Sequence, residues 1–226
     1  MKKLIISEKQ LKYVIKEMAY PTTFNMDEFK TLSSFQKRVD YCKQRLKRVG
    51  AGTSRIVFEI DNEKVLKLAK NSKGIAQNEE EIKLGRDMYA GNCFAKIYDF
   101  DENGLFVEME KAVPAKEKDF ERLTGYPFDM YCDFLNRCAK NYLPLNISKN
   151  IYINRIYNDA YQSCIDDCES FICEVMDYMM NYQLTTWGDL KRISSYGIVN
   201  RNGNEELVII DFGLTEDVYN NFYYKK

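Results

Sequence analysis

Apolar positions in the first part of the chain recur at helical spacing. Leu11, Val14, Ile15 and Met18 share one face behind Ser7 and Gln10, which form a capping box, so a helix is predicted from Ser7 to Ala19 and closed by Pro21. Phe35, Val39, Cys42 and Leu46 predict a second helix from about Ser33 to Arg48. The period then changes to two. Arg55–Ile60 and Lys64–Ala69 read as an antiparallel hairpin turning at Asp61-Asn62-Glu63. A helical stretch from Ile75 to Tyr89 follows the loop Asn71–Gly74, and then come two strands, Phe94–Phe100 and Leu105–Glu110, joined by the turn Asp101–Gly104.

Residues 111–125 read as a linker, and the second half opens helical. Tyr161, Ile165, Cys168, Ile172, Val175, Met179 and Tyr182 alternate by four and three along one long helix, a Met- and Cys-containing stripe of the kind that makes core. Strands at Tyr196–Asn200 and Glu206–Asp211 flank the turn Arg201–Asn204. The order is helices, strand-strand-helix-strand-strand, helices, loop, strand-strand. It predicts an α+β protein with a small β lobe and a helical lobe that carries a hairpin.

Composition narrows the chemistry. The chain has 226 residues, enough to bury one good core or two small lobes, and no apolar run approaches the roughly 20 residues of a membrane span. The start has too few apolar residues for a signal peptide, so the expected location is a cytoplasm. Seven cysteines without a Cys-x-x-Cys pair read as reduced thiols, and the absence of histidine excludes Ser-His-Asp, Cys-His and histidine general-base machinery. Carboxylates, lysine and bound metal are what remain. Net charge is −1, but residues 1–48 hold twelve Lys/Arg against five Asp/Glu. Basic helices of this kind suit solvated faces beside an acidic lobe, or an acidic protein partner; no interleaving of aromatic and basic residues argues for nucleic acid.

Four short segments carry candidate chemistry, in this order: Gly50-Ala51-Gly52-Thr53-Ser54, then Val65-Leu66-Lys67, then Trp187-Gly188-Asp189-Leu190-Lys191, then Asp211-Phe212-Gly213 at the end of an apolar run. Glycines let backbone amides approach phosphates closely. Period two places Lys67 on a face with Val65 and Ala69, where an ammonium needs a carboxylate partner unless the strand is an exposed edge. Glu79, Glu80 and Glu81 on the following helix can supply it. Glu81 is favoured because Leu84 and Met88 continue its face, with Glu79 second. A carboxylate at a strand's end beside glycine, as at Asp211, suits a hard cation bridging phosphates.

Together these segments resemble the protein-kinase-like superfamily over residues 48–213. Gly50–Val57 is similar to the kinase glycine-rich loop, with Arg55 at the third glycine, where its charge could itself meet a phosphate. Lys64–Lys67 resembles the Val-Ala-Ile-Lys strand, and Trp187–Lys191 resembles the His-Arg-Asp-Leu-Lys loop, with Trp187 in place of histidine. Asp211–Gly213 resembles the Asp-Phe-Gly motif. The texture around Lys67 and Asn78-Glu79 is most similar to short, phage-encoded kinase-like proteins.

The resemblance implies a bilobal fold with ATP and Mg²⁺ in the cleft. Asp189 would orient the acceptor, Lys67 and Glu81 would form the phosphate-anchoring pair, and Asp211 would hold metal. Gly50, Ala51, Gly52, Thr53, Ser54 and Lys67 would bind nucleotide, with Glu108 and Glu110 in the hinge offering backbone groups to adenine. The family's metal-binding asparagine falls at Ser194, with Ser195 next. The implied division is residues 1–48 as bracing helices, 49–112 as the first lobe and 113–226 as the second. Thirteen residues follow Gly213, too few for the region that seats a peptide in protein kinases. Two readings follow: a phosphotransferase with an unidentified acceptor, or a pseudokinase that grips a protein partner through its basic N-terminal helices.

Overall fold

A computed structural model describes residues 23–87, 92–139, 170–181 and 189–224, together with the isolated positions 159, 162, 163 and 166. The helix expected from Ser7 to Ala19 lies outside the described residues, as do Trp187, Gly188 and the first turns of the long helix expected from Tyr161.

Two short helices come first, α1 (Met26–Thr31) and α2 (Phe35–Arg45). Asn25 and Ser34 cap them by accepting from the N–H groups of Glu28 and Lys37. The second helix stops three residues before its expected end, because Lys47–Ala51 forms an edge strand, β1, that sequence periodicity did not reveal. Its side chains are mostly exposed, so it carries no alternation of apolar and polar positions. With β2 (Arg55–Glu59), β3 (Lys64–Ala69), β4 (Ile97–Phe100) and β5 (Phe106–Glu110) it makes an antiparallel sheet in the order β1-β2-β3-β5-β4.

Between β3 and β4 lies α3 (Ser72–Gly85). It starts earlier than expected because Asn71 caps it, accepting from the Gly74 N–H at 3.2 Å. Gly74 is needed there: a Cβ would stand 2.2 Å from the Ser54 carbonyl oxygen, so this helix end lies directly against the glycine-rich turn.

The expected linker is ordered. It contains β6 (Val113–Pro114) and α4 (Glu117–Thr124), the latter ended by Gly125 in the left-handed conformation at φ 78°. Helices α5 (Phe128–Ala139) and α6 (Phe171–Asn181) follow. A 3₁₀ turn at Ile193–Ser195 leads into β7 (Tyr196–Arg201) and β8 (Asn204–Ile209), which join β6 in a second antiparallel sheet of order β6-β7-β8. Asn202 and Gly203, at φ 55° and 86°, make the two-residue turn between them, a tighter hairpin than the sequence suggested. Last comes α7 (Glu216–Phe222), capped by Thr215 and packed on α3.

Two apolar clusters hold this arrangement. Phe29, Val39, Tyr41 and Cys42 from α1 and α2 pack with Phe58, Leu66, Leu68 and Phe106 on one side of the first sheet. The larger cluster runs across both lobes, from Ile82, Val107 and Met109 to Phe120, Tyr131, Val175 and Ile209. A parallel bridge between Phe94 and Ile209 joins the two lobes through the backbone, with Ala95 N–H donating to the Ile209 carbonyl at 3.0 Å. The protein is therefore α+β and two-lobed, with the element order of a protein-kinase-like fold. No helix among the described residues is long and apolar enough to cross a membrane, and the described cysteines, Cys42, Cys93, Cys132 and Cys173, are free thiols.

Tyr196 ties this core to the loop that carries Asp189. Its buried hydroxyl donates to the Leu190 carbonyl at 2.6 Å and lies 2.8 Å from the Tyr131 hydroxyl. Tyr196→Phe should lower unfolding free energy by about 1–3 kcal/mol, the cost of leaving a buried acceptor unpaired, in urea denaturation followed by circular dichroism. An unchanged midpoint would mean that the hydroxyl does not anchor the loop.

Candidate functional site

Lys67 belongs to the middle strand of the first sheet, paired with Val57 on one side and Val107 on the other. Its side chain reaches the cleft and is nearly buried. The ammonium lies 2.9 and 3.0 Å from the two carboxylate oxygens of Glu81, and it donates to the Ile210 carbonyl at 2.6 Å. Of the three candidate carboxylates, Glu81 is the one turned inward and fully buried, Glu79 is exposed, and Glu80 pairs with Lys83 near the surface. Helical geometry alone decides this: successive residues point about 100° apart, so three adjacent glutamates cannot share a face. Burial drives the Lys67 pKa below its ordinary value; Glu81 opposes that shift and Arg55 adds to it.

Arg55, the first residue of β2, completes the cluster. Its Nη1 lies 2.8 Å from Glu81 Oε1 and donates to Asn78 Oδ1 at 3.3 Å, while Nη2 pairs with the Asp211 carboxylate. Burial works against its charge, but Glu81 and Asp211 outweigh that and raise its pKa. Asn78 is held in turn by its donation to the Gly104 carbonyl at 2.8 Å.

Asp211 follows β8 and opens toward the cleft, its side chain 47% exposed. Phe212 turns inward against Phe94 at a ring separation of 4.6 Å. Gly213 passes so close to α3 that a Cβ would stand 2.2 Å from the Gln77 carbonyl oxygen. Asp189 sits across the cleft, 3.3 Å from Arg192. Burial lifts its pKa, and the charge of Asp211 adds to the shift, with Arg192 and Arg55 acting the other way.

Arg55, Lys67, Asp189, Arg192 and Asp211 line one cavity of about 710 Å³ between the lobes, a size suited to a small organic ligand. Gly50, Gly52, Thr53 and Ser54 form one wall, Val57, Val65 and Met109 the apolar roof, and Lys67, Asp189, Ser194 and Asp211 the polar end. Of the two serines, Ser194 faces the cavity; Ser195 is buried and donates to the Asp189 carbonyl at 2.7 Å, fixing the loop. Two expected residues lie elsewhere. Ala51 is not part of the lining, and Glu108 points away to pair with Lys64 at 2.9 Å, because side chains alternate along β5. Glu110 borders the cavity, but Arg201 grips its carboxylate at 2.6 and 3.1 Å and its backbone N–H donates to the Lys96 carbonyl at 2.7 Å. The stretch Lys111–Pro114 lines the cavity beyond it.

Sequence reasoning missed Gln77 and Tyr223. Gln77 accepts from Ser54 Oγ at 2.8 Å and donates to the Tyr223 hydroxyl at 3.2 Å, and both residues border the cavity. No sequence signal marks them, since their roles arise from the packing of α7 on α3. Asp211 with Ser194 is an all-oxygen donor set open to the cavity. Among the described residues no three His, Cys, Asp or Glu side chains gather into a metal cluster. Mg²⁺ needs no such cage, because it is commonly held by one or two carboxylates together with substrate phosphates and water. The residues present fit that ion.

No protein-family model matches the sequence, and no curated protein matches it. Among solved structures, the streptomycin–ATP–APH(2'')-IIa ternary complex is 14% identical, with a TM-score of 0.31, covering 81% of this chain and 72% of that one. The GDP and kanamycin complex of APH(2'')-IIIa is 16% identical with a TM-score of 0.34, covering 91% and 73%. The ADP-bound aminoglycoside phosphotransferase APH(2'')-Ib is 15% identical with a TM-score of 0.32, covering 79% and 69%.

Two measurements probe the cluster. Glu81→Ala should cost about 3–5 kcal/mol in chemical denaturation, because it leaves buried cations without their shared partner. Asp189 has a raised folded-state pKa, so its contribution to stability is greatest below the ordinary carboxylate value and falls as pH rises through the folded one. Asp189→Asn should therefore melt above the wild type at pH 7 and converge with it in acid; a lower melting temperature at pH 7 would contradict the burial of that charge.

Proposed function

We propose that the protein is an ATP- and Mg²⁺-dependent phosphotransferase of the protein-kinase-like kind. The observation that carries this reading is the convergence of the buried Lys67–Glu81 pair, Asp189 and Asp211 on one cavity beside a glycine-rich turn. Lys67, oriented by Glu81, would bind the phosphates of ATP, with the backbone of Gly50–Ser54 against them. Val57, Val65 and Met109 would enclose the adenine, next to the backbone beyond Glu110. Asp211, with Ser194, would hold Mg²⁺, whose contribution when bound is to neutralise charge on the phosphate oxygens.

In the transfer, an acceptor hydroxyl oxygen forms a bond to the γ-phosphorus while the bond from that phosphorus to the β,γ-bridging oxygen breaks, and ADP leaves. Asp189 orients the hydroxyl and receives its proton. Its raised pKa suits that proton better than an ordinary carboxylate would. The acceptor needs only a hydroxyl that reaches the mouth of the cleft near Asp189 and Arg192.

A second reading has an observation of its own in its favour. Arg55 already engages both Glu81 and Asp211, and serine stands at the position of the second metal-binding side chain. A kinase scaffold that binds nucleotide, or a protein partner through the basic N-terminal segment, without phosphoryl transfer would look like this. Turnover separates the two readings.

Purified protein should gain stability with Mg-ATP, by about 2.7 kcal/mol at 100 times Kd, and Asp211→Ala should lose most of that gain in a thermal-shift titration. Asp189→Asn should retain the shift but lose about 10²- to 10⁴-fold in ADP release or autophosphorylation. Equal turnover by wild type and Asp189→Asn would sink the transferase reading, and a flat thermal response in both proteins would remove the nucleotide site.

A further inference from the structure

Arg55 occupies a place in the cleft that a backbone-only glycine turn would leave open. Its guanidinium is the second cation on Glu81, whose Oε1 lies 2.9 Å from Lys67 Nζ and 2.8 Å from Arg55 Nη1. It also pairs with Asp211 and is steadied by Asn78. These partners are fixed from two sides, Glu81 and Asn78 by α3 and Asp211 by the segment just after β8, so the guanidinium is aimed rather than loose. It is nearly buried, yet it borders the cavity.

An arginine cannot be deprotonated in a protein and carries five N–H donors. Among the described residues, the contacts to Glu81, Asn78 and Asp211 use Nη1 and one N–H of Nη2, so Nε–H and the other Nη2–H can meet a further acceptor. Asp211, held on one oxygen, keeps a half-exposed carboxylate toward the same space. At the same polar end of the cavity Ser194 offers one neutral oxygen, a weak ligand for a hard cation. The polar end of the cleft thus holds the carboxylates of Asp211 and Asp189 beside Lys67 and a permanently charged Arg55.

We infer that Arg55 is a phosphate-binding residue of this cleft, a fixed cation that neutralises the triphosphate where a second metal ion would otherwise be required. The inference rests on the nucleotide-binding reading above and makes it more specific: the site works with a single divalent ion at Asp211. Guanidinium forks match phosphate oxygens in geometry as well as charge, and such charge-assisted hydrogen bonds are among the strong ones. Binding of nucleotide should therefore survive removal of divalent ions to an extent that depends on Arg55.

Isothermal titration of the whole chain with ATP and with adenosine, each with Mg²⁺ and with EDTA, tests this. Wild type should still bind ATP in EDTA, and Arg55→Ala should weaken that binding by about 10- to 100-fold, the value of hydrogen bonds to a charged group. The loss should be smaller with Mg²⁺ and absent for adenosine, which has no phosphates. Arg55→Lys, which keeps the charge without the fork and leaves Glu81 and Asp211 a counter-ion, should fall between the two and serves as the variant if Arg55→Ala does not fold. Unchanged ATP affinity in EDTA for the substituted protein overturns the inference while leaving the nucleotide site intact. Tighter binding overturns it too, because Arg55 would then be a plug on Asp211. A wild type that binds no ATP under either condition removes the functional reading and this one with it.

Discussion

The structure depends on one buried carboxylate. Glu81 is completely buried and shared by two cations, Lys67 from the middle of the first sheet and Arg55 from the strand beside it. A carboxylate or an ammonium alone in that place would pay a large desolvation penalty, and the cluster is tolerable because the charges of Lys67, Arg55, Glu81 and Asp211 cancel and each is hydrogen-bonded. That requirement sets the position of α3 against the sheet. It also sets the position of Asp211, because Arg55 reaches across to it, and Lys67 reaches the carbonyl of the residue before it.

The same cluster joins the lobes at the place where chemistry would occur. Ile209 pairs with Phe94 through the backbone, Ile210 receives Lys67, and Gly213 passes directly over Gln77. The apolar cluster continues beneath them from Met109 to Phe120 and Tyr131. Lys67, Arg55 and Glu81 are therefore mounted on strands and a helix, and the loop of Asp189 is pinned by Ser195 and Tyr196, which is what positioning a reactive phosphate requires. At the C-terminal side, Tyr223 extends this support by meeting Gln77, which in turn holds Ser54 of the glycine-rich turn.

Much of this was legible from pattern alone. The period-two runs at Arg55–Ile60 and Lys64–Ala69 became β2 and β3 nearly residue for residue, because their inner faces meet two apolar layers. Glu81 could be chosen over its neighbours from the face that Leu84 defines. Edge strand β1 was invisible, since a strand with solvent on most of its side chains carries no alternation. The segment 111–125 read as linker because β6 is two residues long and α4 is short, below the length at which periodicity accumulates. Glu108 and Glu110 were legible as the end of a strand, but not which way each would turn or that Arg201 would claim the second.

By itself the sequence determined the order of the longer elements from β2 to β5 and the closing hairpin, the inventory of chemistry and the candidates within it: no histidine, a lysine on an apolar strand, a glutamate on the next helix, and two aspartates beyond. Those follow from local spacing and side-chain type. Only the tertiary structure decided that Arg55 lies between Glu81 and Asp211, that Ser194 rather than Ser195 faces the cavity, and that Gln77 and Tyr223 belong to its wall. Such relations join residues up to 156 positions apart in the chain. They depend on how helices and sheets pack, and packing is set by the whole apolar core at once rather than by any window of sequence.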